Sequence, residues 1–198
     1  MDRMDFTCGA VILAGGRSRR MGTCKALLRL EGGTMLERAA GLLTALFDEV
    51  LLSANDPALG LGLNLRVVPD IWRECGPLGG LHAALAATGK DALFCVPCDL
   101  PRFTAELPLL LLERMNPEAD AIVCRDGGGR LHPLCGIYRR RVLPALEARL
   151  QGGERRVTAL IEGLSCQILE TEGLLSDGVF ENMNTPESYF RYAAASRP

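Results

Sequence analysis

Several features that would assign this chain to a common class are missing. Its 22 Lys and Arg against 24 Asp and Glu leave a net charge of -2, so it has no general basic footprint and duplex nucleic acid is not an expected partner. The densest aliphatic patch, Leu107 to Leu112, is far shorter than the roughly 20 apolar residues that cross a bilayer. Met1 to Phe6 carries acids and leads into no apolar stretch of signal length, so a cytoplasmic protein with no membrane partner is expected. Repeats, low-complexity runs and linkers are absent. The 8 cysteines form no paired Cys-x-x-Cys framework, and without a secretory signal they read as free thiols. Cys95-Val96-Pro97-Cys98 is a single half-site for zinc or redox chemistry; it sits on a predicted strand and lacks the second pair. Two familiar phosphate loops are also missing. Lys25 is followed by Ala26, which breaks the Walker pattern, and Arg17 stands where a dinucleotide fingerprint needs its second glycine.

What is present begins at Val11. An apolar run stops at Gly15 and Gly16, and a loop with Arg17, Arg19, Arg20, Gly22 and Lys25 follows. Glycines let backbone N–H groups approach a ligand closely, and cations hold negative charge, so this loop suits a triphosphate. The backbone from Leu13, Ala14, Gly15 and Gly16 would cradle the nucleotide. Lys25 and Arg20 would stabilise its phosphates. A plain glycine-rich turn between strand and helix is the competing interpretation; the spacing of Arg20, Gly22 and Lys25 argues against it.

The rest of the chain alternates. Cys8–Leu13, 49–54, 65–68 and 92–96 read as strands, the first a continuous apolar run of the kind buried on both faces. Leu36, Ala39, Ala40 and Leu43 follow helical spacing, Pro77 opens a second helix, and Thr104 is placed to cap a third. Ala121 to Cys124 and Leu131 to Tyr138, around Asp126-Gly127-Gly128-Gly129-Arg130, read as an antiparallel hairpin. Helices near 142–150 and 157–162, strands at 166–169 and 179–183, and a helix after Pro186 complete the chain. Arg139-Arg140-Arg141 reads as a solvated turn. The expected fold is α/β, three-layered and Rossmann-like, with a mostly parallel sheet and a hairpin in the C-terminal half. One domain of 198 residues is expected, with halves at about 8–103 and 104–195.

Asp99 follows the strand at 92–96 directly. Ligands of parallel sheets bind beyond the carboxyl ends of strands, so Asp99 and the glycine loop should share one edge. A carboxylate facing a triphosphate needs a cation between them, and magnesium takes carboxylate and phosphate oxygens. A turn cap is the alternative role for Asp99, but it leaves the cationic loop unexplained.

The pattern Leu-Ala-Gly-Gly-x-x-x-Arg-Met-Gly-x-x-Lys, with Cys98-Asp99-Leu100-Pro101 and Asn182-Met183-Asn184-Thr185-Pro186-Glu187 in order, resembles the molybdenum cofactor guanylyltransferases from Val11 to about Glu187. That resemblance implies a nucleotidyltransferase fold and Asp99 as the magnesium ligand. It implies nucleotide contacts at Ser53, Asp70 and Gly79, and acceptor contacts at His132, Asn182 and Asn184. It implies GMP transfer from GTP to molybdopterin with release of pyrophosphate, and cofactor-synthesis proteins or molybdoenzymes as partners. Cys24 stands where the family usually has Asp, and Ser53 where it often has Asn. Cytidylyl transfer to the same acceptor, sugar-phosphate nucleotidyl transfer and a non-catalytic nucleotide-binding module are the competing functions. The Gly15 form of the loop favours guanine over cytosine.

Overall fold

A computed structural model describes residues 6–15, 25–30, 32–176, 178–183, 188, 189 and 192. Strands β1 (Cys8–Leu13), β2 (Arg29–Leu30), β3 (Gly33–Thr34), β4 (Val50–Ser53), β5 (Arg66–Val68), β6 (Ala92–Pro97), β7 (Ala121–Arg125), β8 (Leu131–Arg139) and β9 (Cys166–Glu170) alternate with helices α1 (Met35–Thr44), α2 (Gly76–Ala87), α3 (Glu106–Arg114), α4 (Leu143–Gln151) and α5 (Val157–Ile161). Seven of the strands form one sheet in the order β5-β4-β1-β6-β8-β7-β9, and β2 and β3 form a separate hairpin. β1 pairs parallel with both β4 and β6, while β8 runs antiparallel to β6 and β7. The expected mostly parallel sheet and hairpin are present, with β8 inserted between β6 and β7.

β1 shows why its sequence is unbroken apolar. Ala10 and Ile12 pack into one core with Leu36 and Leu43 of α1 and Leu107 and Leu111 of α3. Val11 and Leu13 pack into the other with Leu78 and Leu81 of α2 and Leu146 of α4. Both faces are covered, so neither set of alternate residues can be polar. α1 starts at a capping box: the Glu37 amide donates to Thr34 Oγ1 at 3.1 Å, and the Thr34 amide donates to Glu37 Oε2 at 2.6 Å.

Two expectations are corrected. Thr104 does not cap α3. Ala105 holds that position, and the first helical bond runs from the Leu109 amide to the Ala105 carbonyl at 3.4 Å. Starting one residue earlier would demand a donor from Pro108, which has no N–H. Residues 179–183 form a turn, not a strand, because their amides bond to Ser176, Gly178 and Asp99 carbonyls and build no ladder. Val179 and Met183 are buried there as anchors. Ser188, Tyr189 and Tyr192 are helical as expected, and the Tyr192 hydroxyl lies 3.3 Å from Arg38 Nη1.

Candidate functional site

β1 lies where the chain reverses its direction across the sheet. From β1 it proceeds to β4 and β5 on one side, then crosses to the other, where β6, β8, β7 and β9 lie in that spatial order. Such a switch point opens a crevice beyond the strand ends. Here the turn after β1 is tied to both neighbours: the Ala14 amide donates to the Ser53 carbonyl at 2.9 Å, and the Cys98 amide donates to the Leu13 carbonyl at 3.1 Å. Among the described residues, a Cβ on Gly15 would meet nothing within 4 Å, so none of them requires glycine there by packing.

Two clefts meet at this turn. The wider, about 920 Å³, lies over β4 and β5 and is lined by Ser53, Asn55, Asp70 and Gly80. The narrower, about 440 Å³, lies over β6 and β8 and is lined by Asp99, His132, Cys135 and Asn182. Leu13, Ala14, Gly15, Pro77 and Arg155 line both.

The wide cleft has a fixed floor. Asn55 Nδ2 donates to Asp70 Oδ2 at 2.9 Å, and the Asp70 amide donates to Asn55 Oδ1 at 2.9 Å. This reciprocal pair joins the loops after β4 and β5. α2 approaches so closely that a Cβ on Gly80 would sit 2.5 Å from Ser53 Oγ. Gly76 begins the helix at φ +59°, a backbone conformation that favours glycine. Gly79 faces the Trp72 carbonyl, whose oxygen would lie 2.8 Å from a Cβ at that position, while Gly76 and Gly80 of this helix line the cleft.

In the narrow cleft, half-buried Asp99 follows β6. His132 Nε2 lies 2.7 Å from Asp126 Oδ2, and its ring stacks on Phe180 with centroids 4.1 Å apart. The His132 side chain and the amides of Arg130 and Gly128 hold the Asp126 carboxyl below its ordinary value. His132 is thus a packed, carboxylate-oriented cleft residue.

Arg155 is the charge that sequence reasoning missed. Its neighbour Glu154 accepts from the Arg155 and Arg156 amides at 2.9 and 3.0 Å and from Arg156 Nη2 at 2.8 Å. These bonds, led by the Arg156 side chain, hold the Glu154 carboxyl down to about 2. Glu154 therefore neutralises Arg156. Arg155 has no ion pair with a described residue and faces both clefts. Asn55, Asp126 and Phe180 were also missed. The Gly152-Gly153-Glu154-Arg155-Arg156 loop carries a sequence signal, but nothing in it says which arginine is neutralised.

The structure brings Leu13, Ala14, Gly15, Ser53, Asp70, Asp99, His132 and Asn182 to one edge of the sheet. Gly16, Arg20 and Asn184 lie outside the described residues, as does the side chain of Lys25. Cys95 and Cys98 do not converge: Cys95 packs on the α2 face and Cys98 on the α1 face, and burial pushes the Cys95 thiol up. Arg139 and Arg141 lie at the opposite edge, where they bind the Pro117, Ala119 and Glu118 carbonyls; they are ties for the α3–β7 loop, not a simple solvated turn. No described helix is long and apolar enough to cross a membrane.

A crevice at a switch point, with a strand-end carboxylate and a second cleft beside it, is the arrangement a nucleotidyltransferase requires. The chain belongs to the family of the MobA-like NTP transferase domain, whose model matches residues 10–167. It is 38% identical over 180 residues to a protein of Pelotomaculum thermopropionicum named probable molybdenum cofactor guanylyltransferase, covering 89% of this chain and 87% of that one. It is 34% identical over 183 residues to the molybdenum cofactor guanylyltransferase of Photobacterium profundum, covering 89% and 91%. In fold it is similar to the molybdopterin-guanine dinucleotide biosynthesis protein A of Archaeoglobus fulgidus, with a TM-score of 0.81, 23% identity and coverage of 94% and 97%.

Proposed function

We propose that this protein transfers GMP from GTP to the terminal phosphate of molybdenum-molybdopterin and releases pyrophosphate. The observation that carries this reading is the meeting of two clefts at Gly15 and Arg155. A transfer between two bound molecules needs two sites that share a border, with donors at the border where charge develops. The names of the relatives supply a guanylyl group and the molybdenum cofactor as the chemistry of the two occupants.

In this reading GTP lies in the wide cleft, with its base and ribose toward Ser53, Asp70 and the Gly79-Gly80 turn. The half at about 8–103 holds the nucleotide and the half at about 104–195 holds the acceptor. His132, Asn182 and Asn184 face the pterin. A phosphate monoester has its second pKa at about 6, so the attacking oxygen is already anionic at neutral pH and needs no strong base. That oxygen forms a bond to the α-phosphorus, the bond from the α-phosphorus to the bridging oxygen breaks, and the electron pair leaves with pyrophosphate. Lys25 and Arg20 stabilise the triphosphate and the leaving group. Arg155 steadies the two phosphates that must approach one another.

Asp99 would hold magnesium. Its carboxylate is a hard oxygen donor in the narrow cleft, one residue past the Cys98 amide that ties to Leu13, and no group of three or more His, Cys, Asp or Glu among the described residues forms a complete metal cage. Such a partial donor set fits an ion that completes its shell with phosphates and water. When bound there, magnesium supplies charge neutralisation on the phosphate oxygens.

The test is incubation with magnesium, molybdopterin and either GTP or CTP, with mass analysis of the product. The guanine dinucleotide and pyrophosphate are expected. Preference for CTP would overturn the guanine assignment, and GTP binding without pyrophosphate release would make the protein a non-catalytic nucleotide-binding module.

A further inference from the structure

The wall of the narrow cleft is a break in the sheet. Along the β7–β8 ladder Val123 pairs with Gly136, but the next residue, Cys124, pairs with His132. Pro133, Leu134 and Cys135 therefore stand opposite no residue of β7. They have no partner in β6 either, whose ladder with β8 ends at Cys95 and Gly136. This is a bulge of three extra residues on β8, and bulges re-aim side chains beside active sites. Here the re-aimed residues, His132 to Cys135, all line the narrow cleft.

A bulge leaves backbone carbonyls without ladder partners, and buried polar groups need replacements. The Pro133 carbonyl has one. The hydroxyl of Tyr138 donates to it at 2.5 Å. Tyr138 is 0% exposed and packs in the core with Val123, Leu146 and Leu160. A phenylalanine would fill that core without bringing a polar atom into it, and a buried hydroxyl is unfavourable unless bonded. The hydroxyl's partner is not in the core but in the cleft wall. At the other end of the bulge His132 is held by Asp126 and Phe180. Burial holds the phenol's pKa well above its ordinary value, so it keeps its proton and stays a donor.

We infer that Tyr138 is a positioning residue for the acceptor: its buried hydroxyl fixes the Pro133–Cys135 bulge and thereby the wall against which the phosphorylated acceptor is held. The inference rests on the assignment of the narrow cleft to the acceptor.

Tyr138→Phe in the full chain tests it. The KM for molybdopterin is expected to rise about three- to tenfold, the scale of one net hydrogen bond. The KM for GTP stays at the wild-type value. By hydrogen exchange, the amides of Leu134 to Gly136 lose protection while those of β1 do not. An unchanged acceptor KM, a parallel rise in both KM values, or a variant that fails to fold would overturn the inference, since each makes the phenol inert or a general stability element. A wild-type chain that releases no pyrophosphate would instead defeat the functional reading. The bulge claim is then decided by exchange alone, and unchanged protection at Leu134 to Gly136 overturns it.

Discussion

The amide of Met183 donates a 2.8 Å hydrogen bond to the carbonyl of Asp99. This bond pins a C-terminal turn to the loop after the central strand β6. It brings exposed Asn182 to the cleft that Asp99 lines, and it sets Phe180 against His132. The second and third segments of the chain's signature, far apart in sequence, meet through this backbone contact.

Asp99→Asn removes the carboxylate charge and keeps the shape. Magnesium-dependent pyrophosphate release should fall nearly to background while the melting temperature stays near the wild-type value. Retained turnover across a magnesium titration would remove Asp99 from the reaction.

Lys25→Ala should slow turnover by on the order of 10²–10³, the usual scale for losing one preorganised charge-stabilising donor. Steady-state kcat at saturating GTP reads this directly. A wild-type rate would mean that the cation at this position has no part in the transfer.

Asn55→Ala breaks both bonds to Asp70. The KM for GTP should rise about two- to tenfold, from the ~0.5–1.5 kcal/mol net worth of a hydrogen bond, with the acceptor KM unchanged. An effect on the acceptor alone would place the nucleotide in the other cleft.

Gly80→Ala drives a methyl group to 2.5 Å from Ser53 Oγ and 3.3 Å from Leu13 Cδ2. Ser53 is buried, so the strain must shift α2 away from β1 and β4. A loss of about 1–3 kcal/mol in stability is expected, with weaker GTP binding. Denaturant melts and nucleotide titration measure the two effects. A stable variant with normal GTP affinity would show that the helix has room to spare.

The thiols fix a direction for pH. Burial pushes Cys124, ordinarily near 9.0, up to about 12. Between those values the unfolded chain has lost the proton and the folded chain keeps it. Stability from this group is therefore complete below pH 9 and is lost as pH rises toward 12. The melting temperature should fall above about pH 9, less steeply in Cys124→Ala. An identical slope in that variant would assign the alkaline loss to other groups.

Much of the fold was legible because buried parallel strands write themselves as apolar runs. Cys8–Leu13 matches its run residue for residue, and β4, β5 and β6 fall within one residue of theirs at each end. What was not legible has local causes. β2 and β3 span two residues each, too short for any periodicity. The insertion of β8 between β6 and β7 is a matter of pairing order, which alternation does not encode. The apolar residues of 179–183 are anchors of a turn, and anchors and strands share the same residue types. At the site, Leu13 to Gly15 and Asp99 were readable because they end strands. Asn55 and Arg155 were not, because their roles depend on partners, Asp70 and Glu154, whose geometry appears only in three dimensions.

The central claim is the division of the edge into a nucleotide cleft and an acceptor cleft that share Gly15 and Arg155. A crystal structure with a non-hydrolysable GTP analogue and magnesium tests it most directly. Guanine is predicted over Gly80 beside Asp70, with the ion on the Asp99 carboxylate and the α-phosphate at Gly15. A nucleotide seated against His132, or an ion bound away from Asp99, would contradict it.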